Sequence, residues 1–454
     1  MIDVLREIKQ ELSNKSKLLG VAGLLLVCIS IYTLYSISIP WLRSADEPLH
    51  LDYAIQLSRG DLPVFLDGPV IETDRGLPGA QWVSQHPPLY YAIQAAPTSI
   101  TYNINWKIAT LTGRLISAVI GTAGVALCFV TVYYFSNKNK FYWSLAVALT
   151  FSTTPVYVGV AGAIYNDVLA TLLSTASLLL SFTVLKNGVD NKITAIASVL
   201  ILAGLSTRSS FLIPAFVVLA SVAMHYMLIR DKKTIRPILK TYLSVATLTA
   251  SGIGWFYYRN YKMTGNLLGA NTEWAAENLD RTSKSLSTVL TGPNYLRLIP
   301  DTILGGNFRP LSIAVLLIGV FSFILLFKKG YSEKIHRYSL VIILTMVFLF
   351  MAQQAFYTSV GGALNQRYLL PCLFGISFIV TLGLGEISRL RGQLVVALSV
   401  ASVTSTLLNA EKFNKRFIST TDDTVSNIAT AIEINGLPGI LAYALLLFIV
   451  VGLI

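Results

Sequence analysis

An acidic pair, a histidine and a tyrosine follow the first apolar run of the chain. In the segment ADEPLHLDY, Asp46 and His50 are four residues apart, so they share one face of a helix, and Tyr53 extends that face. A carboxylate beside a histidine can accept or deliver a proton in a reaction. The alternative is that Asp46 and Glu47 only complement the dipole at the start of a helix.

The residues around this pair predict the helix that would carry it. Ser44 followed by Glu47 matches a capping box, in which the two side chains satisfy the first free N–H groups of a helix. Pro48 is tolerated in a first turn, and Gly60 favours a stop. We therefore predict a short helix over 45–59, just above the membrane.

Two later segments carry groups of the same kind. His86 precedes two prolines in QWVSQHPPLYY, and the chain has only four histidines. Tyr90 and Tyr91 follow at the level expected of lipid headgroups. An interfacial belt is the simpler interpretation of both tyrosines, and a substrate contact is the alternative for Tyr90. Asp167, in IYNDVLATL, either caps the next helix or faces the same cavity as Asp46.

Four arginines stand at predicted helix ends on the same side: Arg114, Arg208, Arg259 and Arg367. A charge near the membrane is costly unless it has a role or can snorkel to water. Snorkelling is the favoured interpretation of Arg114, whereas Arg208 interrupts an apolar stretch and is less easily explained in that way. A guanidinium group binds phosphate through two hydrogen bonds, so arginines around one cavity would suit a phospholipid-linked substrate.

These groups must be positioned by helices that lipid surrounds. Of the 454 residues, 54% are hydrophobic and only 13% are charged, whereas a soluble protein carries about 25% charged residues. A spanning helix needs about 20 mostly apolar residues. The sequence therefore predicts an all-α polytopic membrane protein with about twelve transmembrane helices, near 18–39, 110–135, 141–160, 167–185, 193–206, 210–229, 238–258, 311–327, 338–358, 367–385, 393–409 and 436–454.

The charges of the connecting segments predict the orientation. With the N-terminus in the cytoplasm, the cytoplasmic segments hold 19 Lys and Arg against 7 Asp and Glu, and the other side holds 16 of each. The whole net charge of +12 then lies on the cytoplasmic side, as the positive-inside rule requires. No nucleic-acid partner is needed to explain it. We predict a plasma (inner) membrane protein with both termini in the cytoplasm.

The same predicted orientation divides the chain into a cytoplasmic N-terminal segment, 1–17, and a single membrane domain, 18–454. The long connections all lie outside the cytoplasm, at 41–109, 259–310 and 410–435. Most of the chain that is not in lipid is therefore extracytoplasmic, and we expect the functional site there.

Taken together, the motifs resemble those of the GT-C superfamily of membrane glycosyltransferases, in particular its protein O-mannosyltransferase and aminoarabinose transferase branch. DEPLHLDYAIQL matches the acidic motif of the family's first external loop, and HPPLYY matches the end of that loop, although some members carry lysine at the position of His86. YND, with Asp167, matches a second acidic position. FYYRNY, with Arg259, matches an aromatic-Arg-Asn-Tyr motif, and NQRYLLP, with Arg367, recurs in related membrane proteins.

The resemblance implies a GT-C-like fold with juxtamembrane helices in the first external loop. It also implies transfer of a hexosyl or pentosyl group, with inversion, from a polyprenyl-phosphate carrier to a lipid, glycan or protein acceptor. Asp46 would be the general base, Glu47 would support it, and Asp167 would position the acceptor or the base. The carrier phosphate and the substrate would be held by His50, His86, Tyr90, Arg208, Arg259 and Arg367.

Two features of this site are left open by the sequence. Asp46, Glu47 and Asp167 could offer oxygen ligands to a divalent cation, Mg or Mn, but no cofactor is certain. The loop over 262–310 could close over the sugar, or its mixed charges could simply form a solvated surface. Its candidate contacts are Trp274, Tyr295, Arg297 and Arg309.

Three other functions compete with the glycosyltransferase. A ligase or polymerase of lipid-linked saccharides would also use external arginines, but would rely less on an early acidic pair. A flippase or transporter would carry ionisable residues near the bilayer midplane and repeated halves, whereas the charges here cluster at external helix ends. A non-catalytic scaffold would not need the acidic residues at 46, 47 and 167.

Overall fold

The computed structural model describes residues 2–73, 77, 79–136, 139–229, 235–329, 334–387, 391–416 and 423–453. Within these ranges the chain is helical and contains no strand. The α-helices are α1 (Ile2–Glu11), α2 (Lys15–Ser38), α3 (Glu47–Ser58), α4 (Leu89–Tyr102), α5 (Trp106–Phe135), α6 (Lys140–Thr153), α7 (Pro155–Ala161), α8 (Asp167–Asn187), α9 (Asn191–Leu205), α10 (Leu212–Ile229), α11 (Ile235–Thr264), α12 (Thr272–Leu279), α13 (Leu286–Thr291), α14 (Pro293–Leu296), α15 (Leu298–Leu304), α16 (Arg309–Lys329), α17 (Lys334–Ser359), α18 (Leu373–Ile387), α19 (Arg391–Asn414), α20 (Thr424–Ile434) and α21 (Ile440–Leu453).

Seven helices in the described ranges are long and apolar enough to cross a membrane, or up to nine if each of two bent pairs is one span. The chain is therefore a multi-pass membrane protein. The seven are Lys15–Ser38, Trp106–Phe135, Asp167–Asn187, Ser209–Ile229, Ile335–Ser359, Gln366–Leu384 and Gly392–Asn414.

The count of twelve spans is not confirmed, although a helix lies at each predicted span. The predicted span 141–160 is bent, because α6 and α7 meet at 71°. The predicted span 311–327 lies in α16, whose start meets the short helix α15 at 103°. Two others, α9 and α21, are apolar but shorter than a full crossing. The last, α11, has 30 residues, but it is less apolar than the seven.

The two ends of the membrane domain pack against each other. Helix α21 lies along α2, and a Cβ added to Gly23 would lie 2.7 Å from the carbonyl oxygen of Gly452. The two backbones therefore touch, as small residues allow between helices in lipid. Helix α5 packs against α6 and α8 and carries Arg114, which bonds to the end of α2.

The helix predicted over 45–59 is α3, which begins at Glu47 and ends at Ser58. Pro48 lies in its first turn and Gly60 has a φ of 90°, as the sequence predicts. The capping-box prediction is wrong. Asp46 is the N-cap residue, and the side chain of Glu47 bonds to Arg114 instead of reaching back to Ser44.

Candidate active site

A cavity of about 590 Å³ lies where the predicted external ends of several helices meet. This volume is typical of pockets that bind small ligands. The fold brings together groups as far apart in sequence as Asp46 and Arg367, which are separated by 321 positions. Five residues that the sequence predicts to do chemistry line the cavity, namely Asp46, His86, Asp167, Arg208 and Arg367.

Asp46 accepts hydrogen bonds from two side chains of the cavity wall. Its Oδ1 accepts from Nε1 of Trp82 at 3.1 Å, and its Oδ2 accepts from Arg367, with which it forms an ion pair. The Asp46 and Arg367 side chains remain 18% and 16% exposed. Arg367 also has a buried Nε that finds no acceptor among the described residues. The pair can therefore be reached from the cavity, and it has a spare donor.

The charge of Asp46 is stabilised by these neighbours. Burial alone would raise the pKa of Asp46, but the positive charge of Arg367 and the hydrogen bonds from Arg367 and Trp82 hold the pKa at about 2. Asp46 is therefore ionised at neutral pH. A carboxylate with so low a pKa is a weak base, because proton transfer is most efficient when the pKa lies near the working pH.

Asp167 forms the second ion pair of the cavity. Arg208 donates to its Oδ1 and, at 3.1 Å, to Oδ1 of Asn166. Asp167 is the first residue of α8 and Asn166 is its N-cap, so the predicted cap lies one residue earlier. The side chain of Asp167 is buried, yet its Oδ2 has no hydrogen-bond partner in the described part of the chain.

Both arginines contact the ring of one tyrosine. The guanidinium carbons of Arg208 and Arg367 lie 5.2 and 5.4 Å from the ring centre of Tyr368, within cation–π range. Arg367 also lies 5.1 Å from the ring of Tyr165. This arrangement suits the binding of an anion, because two planar donors face one cavity.

The two histidines lie beside the Asp46–Arg367 pair as neutral groups. His50 is 2% exposed, and its Nδ1 lies 2.9 Å from the hydroxyl of Tyr91. Burial lowers the pKa of His50 to about 3, against the opposing charge of Asp46. Burial, and then the charge of Arg208, lowers the pKa of His86 well below its usual value. His86 lines the cavity, and its ring stacks on that of His50 at 6.2 Å, so His50 lies behind it.

Glu47 and Arg114 form a buried pair outside the cavity lining. Arg114 donates from Nε and NH2 to the two carboxylate oxygens at 2.8 and 2.7 Å, and both side chains are fully buried. Arg114 also donates to the carbonyl oxygens of Ser36, Ile39 and Pro40 at the end of α2. Snorkelling of Arg114 is therefore wrong. The pair joins α2, α3 and α5 beneath the cavity.

Two further predicted contacts also lie away from the cavity lining. Tyr90 is buried, with its hydroxyl 2.7 Å from Oγ of Ser117, so it joins α4 to α5 instead of facing lipid headgroups. Tyr91 is buried as well, so the interfacial-belt interpretation is wrong for both. Arg259 donates to the carbonyl oxygen of Pro63 at 2.7 Å, and this bond ties the end of α11 to the connection between α3 and α4.

The carboxylates do not fit a shared metal site. Asp46 pairs with Arg367, Glu47 with Arg114, and Asp167 with Arg208. Across the described residues, no group of three or more His, Cys, Asp or Glu side chains is placed to hold a metal ion. The Mg or Mn prediction finds no support in this geometry.

The second long connection, which is predicted to be external, contributes one of its four candidate contacts to the cavity. Trp274, on α12, lines it. The hydroxyl of Tyr295 instead donates to the carbonyl of Met351 at 2.9 Å. Arg297 and Arg309 line a separate cavity of about 320 Å³, where Arg309 pairs with Asp301.

Sequence reasoning missed several residues that shape the cavity. Trp82 lies in the segment QWVSQHPPLYY, and Tyr368 directly follows Arg367. Their closeness to predicted site residues is the signal that could have identified both. Gln353 and Arg281 also line the cavity, but they lie in segments without a recognisable motif. Their positions depend on how α17 and the connection between α12 and α13 pack around the cavity.

The fold is similar to that of solved membrane proteins. The crystal structure of ArnT from Cupriavidus metallidurans bound to undecaprenyl phosphate aligns with a TM-score of 0.53 at 12% identity, over 95% of this chain and 76% of that one. Its apo form aligns with a TM-score of 0.52 at 13% identity, with the same coverage. The apo oligosaccharyltransferase of Archaeoglobus fulgidus reaches only 0.48 at 10% identity, over 90% of this chain and 57% of that one.

No protein-family model and no curated protein sequence matches the chain. The likeness to the ArnT structures is therefore one of fold, at an identity far below what sequence comparison detects. The chain therefore shares the membrane fold of the ArnT structures.

Proposed function

We propose that the protein is a glycosyltransferase that moves a sugar from a polyprenyl-phosphate carrier to an acceptor on the extracytoplasmic face of the membrane. One observation carries the proposal: two carboxylate–arginine pairs, Asp46–Arg367 and Asp167–Arg208, line a single cavity in a GT-C-like fold. A glycosyl transfer needs a base for the acceptor and positive charge for the departing phosphate. These pairs supply both kinds of group.

The carrier phosphate binds to Arg208 and Arg367 in this proposal. Their guanidinium groups flank Tyr368, and Arg367 has an unused Nε. The similarity to a structure bound to undecaprenyl phosphate supports a lipid-linked phosphate as the ligand class. His86, being neutral, contributes a hydrogen bond and no charge.

Phosphate binding also prepares Asp46 to act as the base. In the free protein Arg367 is the counterion of Asp46, and it holds the carboxyl pKa at about 2. When Arg367 turns part of its hydrogen bonding to the phosphate, Asp46 loses stabilisation of its charged form and its pKa rises. The carboxylate becomes a better proton acceptor in the complex that needs one.

The transfer then proceeds by in-line displacement. The acceptor hydroxyl attacks the anomeric carbon while its proton passes to Asp46. The bond between that carbon and the phosphate oxygen breaks, its electron pair stays with the phosphate, and the arginines stabilise the charge. Attack opposite the leaving group inverts the anomeric centre. Glu47 supports Asp46 indirectly, because its pair with Arg114 fixes the start of α3.

The activity is tested with purified protein in nanodiscs, a panel of radiolabelled carriers, and a mixture of lipid, glycan and protein acceptors. The panel contains polyprenyl-monophosphate mannose, glucose, galactose and arabinose, and one polyprenyl-diphosphate oligosaccharide. Loss of sugar from the carrier and the anomeric configuration of the product are measured. We expect consumption of at least one monophosphate carrier, with inversion.

Two results would contradict the proposal. Consumption of the diphosphate carrier alone would indicate a ligase or polymerase of lipid-linked saccharides. Carrier binding without consumption, together with movement of the carrier across a sealed bilayer, would indicate a flippase.

A further inference from the structure

We propose that the donor sugar ring binds against the indole face of Trp274, with its hydroxyl groups donating to Oδ2 of Asp167 and Oε1 of Gln353. This inference rests on the proposed function and specifies where the transferred group lies. All three side chains line the 590 Å³ cavity that also holds the two ion pairs.

An aromatic wall stands next to the proposed base. Trp82, which donates to Asp46, lies 5.8 Å from Trp274 between ring centres, and Phe65 packs edge-on against Trp274 at 5.2 Å. Trp274 is half-buried, so part of its ring remains free toward the cavity. A flat aromatic surface suits the apolar C–H face of a sugar ring, whose hydroxyls point outward to polar partners.

The aromatic wall is held by the chain around it. Asn271 caps α12 by accepting from the backbone N–H of Trp274 at 3.1 Å. The edge-on contact with Phe65 fixes the ring from the other side. The indole is therefore preorganised, which lowers the cost of ordering it when a ligand binds.

Two acceptor atoms on the same cavity lack partners. Oδ2 of Asp167 and Oε1 of Gln353 are both buried and unbonded within the described residues. Asp167 is 1% exposed, so its free oxygen is costly unless a ligand or a water donates to it. Gln354, the neighbour of Gln353, instead donates to Thr358 and to the carbonyl of Ala363.

The position agrees with what the reaction requires. Arg208 binds the other oxygen of Asp167, and Trp82 bridges Trp274 to Asp46. A sugar on Trp274 that donates to Asp167 therefore lies beside both ion pairs of the cavity. The anomeric carbon must be within reach of the arginines and of Asp46.

The test compares carriers with and without a sugar. Dissociation constants are measured for polyprenyl phosphate alone and for each polyprenyl-monophosphate sugar, using wild type, Trp274→Ala, Trp274→Phe and Gln353→Leu. We expect wild type to prefer one sugar-bearing carrier by about tenfold or more. Trp274→Ala and Gln353→Leu should lose most of that preference, Trp274→Phe should keep much of it, and binding of the bare carrier should stay unchanged.

Trp255→Ala is the matched control, because Trp255 is 48% exposed on α11 and does not line the cavity. If Trp274→Ala keeps the wild-type preference, or weakens the bare and the sugar-bearing carriers equally, the subsite is wrong. If wild type binds no carrier at all, the proposed function fails instead, so the two failures are distinguishable.

Discussion

Two adjacent carboxylates in this chain have different surroundings. Asp46 lines the cavity, where it pairs with Arg367 and stays partly exposed. Glu47 is fully buried against Arg114, which also binds three carbonyl groups at the end of α2. The sequence pattern alone does not distinguish the two acids. Their roles differ because Asp46 faces the cavity, whereas Glu47 faces Arg114 and the end of α2.

We predict that breaking the Glu47–Arg114 pair destabilises the protein. Glu47→Ala leaves a buried guanidinium without its counterion, and Arg114→Ala leaves a buried carboxylate. Removing one partner of a buried pair costs about 3–5 kcal/mol. Thermal unfolding in detergent should show a large drop in Tm for both variants and a smaller drop for Asp46→Asn, because the Asp46–Arg367 pair is partly exposed. An unchanged Tm in Glu47→Ala would refute the structural role.

We also predict that Asp46 and the carrier phosphate compete for Arg367. In Asp46→Asn the guanidinium is no longer held by a carboxylate, so bare polyprenyl phosphate should bind about tenfold more tightly. Arg367→Gln should weaken binding, and Asp46→Asn should add no gain in that background. A double-mutant cycle measures this coupling. An equal gain in both backgrounds would mean simple repulsion between Asp46 and the phosphate, without competition for Arg367.

The connection between α2 and α5 shows how helices position polar groups away from water. Helix α3 carries His50 into a site between Tyr91, Tyr165 and His86, where the ring is neutral. The cost of charging it depends on that packing and cannot be read from the motif alone.

We predict that acid weakens this part of the fold. The folded pKa of His50 is about 3, and the unfolded value is about 6.5. Between these values the unfolded chain binds a proton that the folded chain does not, so stability falls as pH falls from about 6.5 toward 3. His86 acts with the same sign. Asp46, with a pKa of about 2 in the fold, loses its stabilising contribution only at lower pH.

Tm measured from pH 7.5 to 4.5 tests this dependence. Wild type should lose stability over that interval, and His50→Asn, which cannot take up the proton, should lose less. Equal slopes for the two proteins would show that His50 does not contribute.

At the scale of elements, apolar runs were sufficient to predict a helix at every span. They could not predict the bend at Thr154, because it occurs inside a run that remains apolar. The length of α11 also did not show that it is less apolar than the seven candidate spans. The short helices of the second external connection, α12 to α15, carry little periodic pattern, so the sequence predicts a loop there.

For the whole molecule, the sequence predicted a common cavity better than it predicted the partners within it. Asp46, His86, Asp167, Arg208 and Arg367 all line one cavity. Tyr90, Arg259 and Glu47 lie elsewhere, because each is taken by a partner far away in sequence. Such pairings depend on helix packing, and no local pattern reports them.

Orientation across the membrane makes a further prediction. Glu277 is exposed on α12, on the predicted external side, and Lys192 is exposed at the start of α9, on the predicted cytoplasmic side. The three native cysteines are buried, so background labelling is low. An impermeant maleimide should label Glu277→Cys in intact cells and Lys192→Cys only after lysis. The reverse labelling pattern would show that the predicted orientation is wrong.

The most direct test of catalysis in this cavity is the turnover of the preferred polyprenyl-monophosphate sugar by Asp46→Asn in nanodiscs. Asp67→Asn is the matched control, since Asp67 is an exposed acid of the same external connection and does not line the cavity. We predict that Asp46→Asn loses about 10²–10⁴-fold in rate, with a smaller drop in Tm than Glu47→Ala and with carrier binding no weaker than that of wild type, while Asp67→Asn turns over at the wild-type rate. Near-normal turnover by Asp46→Asn would contradict the role of this carboxylate as the base.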